Sequence, residues 1–169
     1  MNFFKNLFGG KGKNPSPGPG PMPTRALQLT YVISPDHGHL FAQQFVEAVK
    51  KIEGLELDYS VNTLDFVDKF LQKFTDKGLS VNDFGETIFV AGSYVGQVMI
   101  NNNGGHWIAE SEANLPEGVT MTAIVVKLPN GNIADPIAKA FKRFHFGKGD
   151  DLRYFYHVFT SDGNGTGEH

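Results

Sequence analysis

The sequence predicts an α+β fold: a small antiparallel sheet of three to four strands, arranged as a meander and packed on one side by about five helices. Three observations lead there. Apolar residues at helical spacing fill most of residues 34 to 100, two-residue alternation dominates from 106 to 134, and helical spacing returns after Asp135. Helices and strands fall in separate blocks, the order expected when helices cover an antiparallel sheet. With 169 residues of which 40% are hydrophobic, the chain suits one domain with a substantial core.

Leu27, Leu29 and Tyr31 alternate with Gln28, Thr30 and Val32, which predicts a first strand. Ser34-Pro35 then opens a helix, Ser as N-cap and Pro as first helical residue, and Leu40, Phe41, Gln44, Phe45 and Val49 carry it to Gly54. A second helix is expected from Asn62, with Asp65 three residues on as a capping box, through Leu64, Val67, Phe70, Leu71 and Phe74 to Gly78. A third begins after Ser80 and carries Phe84, Ile88, Val95 and Met99, with Gly85, Gly92 and Gly96 embedded in it. Each interior glycine costs about 1 kcal/mol relative to Ala, so close approach of a neighbouring element is expected there. The apolar run from Ile88 to Ile100 is too short for a membrane span and reads as a buried helix.

Asn101 to Gly105 breaks the pattern. Strands are expected over 106–111 and 120–128, followed by the turn Pro129-Asn130-Gly131-Asn132 and a short strand around Ile133. Asp135-Pro136 launches a helix through Ile137, Phe141 and Phe144, and Asp150 or Asp151 starts a last one through Leu152, Phe155, Tyr156 and Phe159.

The charge is unevenly spread. Residues 1 to 35 hold Lys5, Lys11, Lys13 and Arg25 and no acid, whereas the remaining 11 basic residues face 18 acidic ones. A +4 arm is therefore joined to a −7 body. Residues 9–24 alternate Pro with Gly and Ser and read as a flexible linker of about 25 Å reach. Residues 1–8 form an amphipathic peptide in which Phe3, Phe4, Leu7 and Phe8 share one helical face. It lacks the apolar core and cleavage site of a signal peptide and is expected to dock on a partner or a membrane interface, pack on the body, or do neither. The domain is expected to span 25–160, and the glycine-rich tail 161–169 to fray.

Ser93-Tyr94-Val95-Gly96-Gln97-Val98 ending a helix, Gly104-Gly105-His106-Trp107 entering a strand, Val125 to Gly131, Asp135-Pro136, Lys142-Arg143 and Asp150-Asp151-Leu152 with Phe155-Tyr156 form a set. Over residues 80–157 this set resembles small bacterial domains of the "domain of unknown function" type. The resemblance implies a bacterial cytoplasmic origin and no mechanism. Ile137 departs from it, standing where those domains carry an aromatic.

Zero cysteines exclude disulfides, thiolate metal sites and thiol nucleophiles. Candidate metal ligands are His37 and His39, two apart beside Asp36, and His106 with Glu110 on one face of a strand, followed by Glu112. Against these stand plainer readings. His37 and His39 would diverge by about 200° on a helix, and His106 with Glu110 suits a solvated sheet face. His145 and His157 lack a placeable catalytic partner. Gly92-Ser93 and Gly104-Gly105 do not make a phosphate loop. Lys139, Lys142, Arg143 and Lys148 form no basic stripe with stacking aromatics, so no nucleic-acid partner is expected. Trp107, beside a double glycine at a strand entry, reads as a core residue or as a contact anchor.

Two functions follow as expectations. The first is a non-enzymatic bacterial protein-interaction module, an adaptor or immunity-type protein, with Phe3, Phe4, Leu7, Phe8 and Trp107 as docking residues. It would need no cofactor, sit in the cytoplasm, and touch the inner membrane peripherally through residues 1–8. The second is a small metal-dependent hydrolase using His106, Glu110 and Glu112, or His37 and His39. Partner identity and oligomeric state stay open.

Overall fold

The computed structural model describes residues 27–119 and 121–162. Five helices, α1 (Gly38–Glu53), α2 (Thr63–Asp76), α3 (Val81–Asn103), α4 (Pro136–Phe146) and α5 (Leu152–Thr160), accompany strands β1 (His106–Ala109), β2 (Ile124–Lys127) and β3 (Ile133–Ala134). The strands pair antiparallel in the order β1-β2-β3, with Trp107 opposite Val126 and Val126 opposite Ala134. This is the expected α+β meander.

Helix α3 is the spine. Fourteen of its residues are buried, and it packs most extensively against α1 and α4. Ser80 caps it by accepting from the Asn82 N–H. Its glycines explain how the helices come so close: a Cβ at Gly92 would stand 2.5 Å from Ile137 Cα and 2.9 Å from the Pro136 carbonyl. The backbone of α4 thus occupies space that any side chain at position 92 would need.

Phenylalanine builds the joint between α1, α2 and α3. Ring centroids run Phe41–Phe89 at 5.1 Å, Phe45–Phe70 at 5.2 Å, Phe70–Phe74 at 4.7 Å and Phe74–Phe84 at 5.2 Å. Pairs of this kind add about 0.5–1.5 kcal/mol each beyond the area they bury. Ile124, Val126 and Ala134 bring the sheet into the same cluster. Val125 and Ile108 point to the other face of the sheet and are also buried.

Four expectations need correction. Residues Leu27 to Val32 form no strand: the alternation of half-buried Leu27 and Leu29 with exposed Gln28 and Thr30 is present, but the segment lies on helices. Gln44 Nε2 donates to the Gln28 carbonyl at 2.6 Å, and the Leu29 N–H donates to Glu86 Oε2 at 3.2 Å. Side chains of α1 and α3 replace a ladder there. The Asn62–Asp65 capping box does not form, because Asn62 is already in helical conformation without a side-chain cap and Asp65 is held by Arg153. The 106–111 strand stops at Ala109, and Glu110–Glu112 is a 3-10 turn. The 120–128 strand shortens to Ile124–Lys127.

Candidate functional site

Trp107 enters β1 directly after the Gly104-Gly105 break and lies over a floor made by two helices. A Cβ at Gly38, the first residue of α1, would stand 2.5 Å from Trp107 Cγ, and one at Gly96 in α3 would stand 2.5 Å from Cζ2. The indole therefore covers both glycines, its five-membered ring over α1 and its six-membered ring over α3. Trp107 Nε1–H donates to Gln97 Oε1 at 3.2 Å, and Gln97 Nε2 donates in turn to Asn101 Oδ1 at 2.7 Å. The ring is half-buried and fixed in orientation. Pro136 Cγ comes within 2.9 Å of the same Gly96 Cβ position, which places Trp107 at the N-terminal end of α4.

The segment leading into α1 reaches this end of the molecule through the 3-10 turn Pro35–His37, which contacts β1 just before Gly38 meets the indole. Val32 is 79% exposed and Tyr31 41% exposed. His37 Nδ1 stands 2.7 Å from the Val32 carbonyl. A carbonyl only accepts, so Nδ1 carries the proton. The His37 ring also meets Tyr31 at 5.4 Å and Phe41 at 6.5 Å. A fixed indole, an exposed valine and a partly exposed tyrosine thus gather at the start of α1.

The metal candidates are not brought together. His37 spends Nδ1 on the chain, His39 is exposed on α1, and His106 is exposed at the start of β1. Glu110 and Glu112 lie in the 3-10 turn beyond the strand, so His106 and Glu110 do not share a strand face, which corrects that expectation. Among the described residues no three His, Asp or Glu side chains are grouped to hold a metal ion. Phe3, Phe4, Leu7 and Phe8 lie outside the described residues. No helix among the described residues is long and apolar enough to cross a membrane.

Buried polar groups hold elements in place. Asp135 accepts from the Thr122 N–H at 2.6 Å, from Thr122 Oγ1–H at 2.7 Å and from the Ala138 N–H at 2.9 Å, which ties the approach to β2 to the start of α4. Burial pushes its carboxyl above the usual aspartate range, against the pull of those donors. Arg143, 4% exposed, donates to Asp68 and Gln72 of α2, and burial also pushes the Asp68 carboxyl up. Ser93 Oγ–H returns to the Phe89 carbonyl. Thr87 Oγ1 and Gln44 Oε1 are the buried side-chain polar atoms without a partner among the described residues.

The part of Gly38, Tyr31 and Val32 in this surface was not visible in the sequence. Gly38 sits between two histidines that read as a helix start, and nothing local marks a glycine as the floor for a ring 69 residues further on. The chain matches no family model, no curated protein and no solved structure in the three comparisons made.

Proposed function

We propose that the chain is a non-enzymatic bacterial protein-interaction module, of adaptor or immunity type, whose folded body binds a protein partner through the surface around Trp107. The observation that carries this reading is the indole held over Gly38 and Gly96 beside exposed Tyr31 and Val32. Contact hot spots favour a large amphipathic ring whose orientation is set before binding, since little freedom is then lost on association. The amphipathic peptide 1–8, carried on the Pro/Gly-rich stretch 9–24, is the second docking element, and its Phe3, Phe4, Leu7 and Phe8 with neighbouring lysines suit weak peripheral contact with the inner membrane from the cytoplasm.

A photo-crosslinking residue placed at Val32 in the full chain tests the partner site in cells. One product in stoichiometric yield is expected, lost on Trp107→Ala with helix content unchanged and absent when the cross-linker stands at Leu55. Equal capture at both positions, or capture indifferent to Trp107, overturns the reading.

A further inference from the structure

At the other end of α4, about 15 Å from Trp107 by helix rise, the chain turns a tight corner. Helix α4 ends at Phe146, a 3-10 turn covers Gly147–Asp150, and α5 begins at Leu152. Phe146 is 69% exposed and Tyr154, in the first turn of α5, is 71% exposed. These are the most exposed aromatic side chains among the described residues. The turn between them is anchored at its ends, with Gly147 near Gln72 of α2 and Asp150 paired to Lys139, but its middle is open: His145, Lys148 and Asp151 are exposed, and a Cβ at Gly149 would meet nothing within 4 Å.

The charges of this corner divide into those already used and those left over. Lys139 is paired with Asp150 at 2.6 Å and Arg143 with Asp68 at 2.7 Å. Asp151 accepts from the Tyr154 N–H at 2.7 Å but is exposed and keeps its charge, and exposed Asp76 borders the corner at the end of α2. Lys142 and Lys148 are exposed and form no salt bridge among the described residues. Within this segment an otherwise acidic body thus exposes these two lysines, together with Phe146, Tyr154 and the single carboxylate of Asp151. Residues 1–13 repeat the composition, with Phe3, Phe4 and Phe8 among Lys5, Lys11 and Lys13.

We propose that the α4–α5 corner is a second docking element whose partner is an anionic lipid surface. The shape favours a bilayer over a protein. Anchors of protein interfaces sit centrally in packed pockets sheltered by a rim, whereas Phe146 and Tyr154 are both mostly exposed, one on either side of the turn. Phe146 has no polar atom to keep in water and suits the acyl boundary, and Tyr154 suits the headgroup level. Lys142 and Lys148 supply attraction to anionic headgroups, about fivefold in partitioning for each at low salt. One such element binds weakly, and stable anchoring takes two signals. The corner rests on the membrane part of the proposed function and supplies the second signal to the peptide 1–8. With Trp107 at the far end of α4, a lipid-docked body keeps its partner surface accessible.

The absence of cysteine allows a clean test in the full chain. Gly149→Cys, labelled with an environment-sensitive dye, is mixed with phosphatidylcholine vesicles with and without phosphatidylglycerol. The expected result is a blue-shifted, brighter emission on the anionic vesicles alone, lost on Phe146→Ser, with partitioning about 25-fold weaker in Lys142→Gln/Lys148→Gln. If the full chain pellets with anionic vesicles while the dye is silent, and Phe3→Ser/Phe4→Ser/Phe8→Ser abolishes pelleting, the corner proposal is overturned and the docking peptide stands. If no form pellets, both fail. A dye shift produced by a purified protein partner and not by lipid also overturns the corner proposal.

Discussion

Arg143 Nε donates to Asp68 Oδ1 at 2.7 Å, joining two side chains that are only 5% and 13% exposed. Asp68 also receives the Leu152 N–H at 3.3 Å, so a single carboxylate ties α2 to α4 and to the start of α5. Asp68→Ala is expected to cost about 3–5 kcal/mol, because it strands a guanidinium out of water. Asp68→Leu/Arg143→Met should cost less than the single replacement. Urea denaturation of the two variants checks the ordering.

Gly92→Ala sets helix propensity against packing. Alanine is favoured in a helix interior by about 1 kcal/mol, but its Cβ would fall 2.5 Å from Ile137 Cα, and a backbone has no rotamer with which to yield. A net loss of about 1–3 kcal/mol is expected. Gly149→Ala, which meets open space, is expected to be neutral or mildly stabilising. Thermal melts of the pair should move apart accordingly.

Tyr94 is fully buried, and its hydroxyl lies 2.7 Å from Thr63 Oγ1 and 3.0 Å from the Tyr59 nitrogen. Thr63 already donates its proton to the Ser60 carbonyl, so Tyr94 donates to Thr63 and accepts from Tyr59. Tyr94→Phe leaves a part-buried N–H without its acceptor and is expected to cost about 1–3 kcal/mol, measured by chemical denaturation.

Glu86 governs a pH dependence. Its carboxyl accepts the Leu29 N–H, and burial raises it above the ordinary glutamate value of 4.5. The folded chain thus holds this proton more tightly than the unfolded one. Its contribution to stability is fully present below 4.5 and is lost as pH rises through the raised folded value. Glu86→Gln keeps an acceptor for Leu29 and removes the buried charge. Its melting temperature is expected to exceed the wild type at neutral pH, with the gap closing as pH falls to 4.5. A gap that widens on acidification would contradict this.

What the sequence made legible was local. Ser80, Asp135 and Asp151 each cap a helix through an N–H two or three residues ahead, and Gly54 ends α1 with φ at 66°. Such signals lie within one turn of the residues they govern. The errors arose where a distant partner decided the outcome. Asp65 fits a capping box on its neighbours alone, yet Arg153, 88 residues away, takes its carboxylate. The alternation in Leu27 to Thr30 reports which residues face the body, and a helical surface produces it as well as a sheet does. Phe146 and Tyr154 did leave a trace: they fall outside the spacing that buries Phe141 with Phe144 and Leu152 with Phe155. Trp107 could be singled out, but its floor, drawn from positions 38 and 96, could not.

The placement of that indole makes the molecule its own optical gauge. The chain contains one tryptophan, and it stands where the first strand meets the first and third helices. Its emission therefore reports whether the sheet is seated on the helices, a property that helix content by circular dichroism does not register. A form in which the helical layer persists while β1 has lifted away would keep its dichroism and red-shift its fluorescence, so divergence of the two signals during unfolding would mark the seam along which the protein first comes apart.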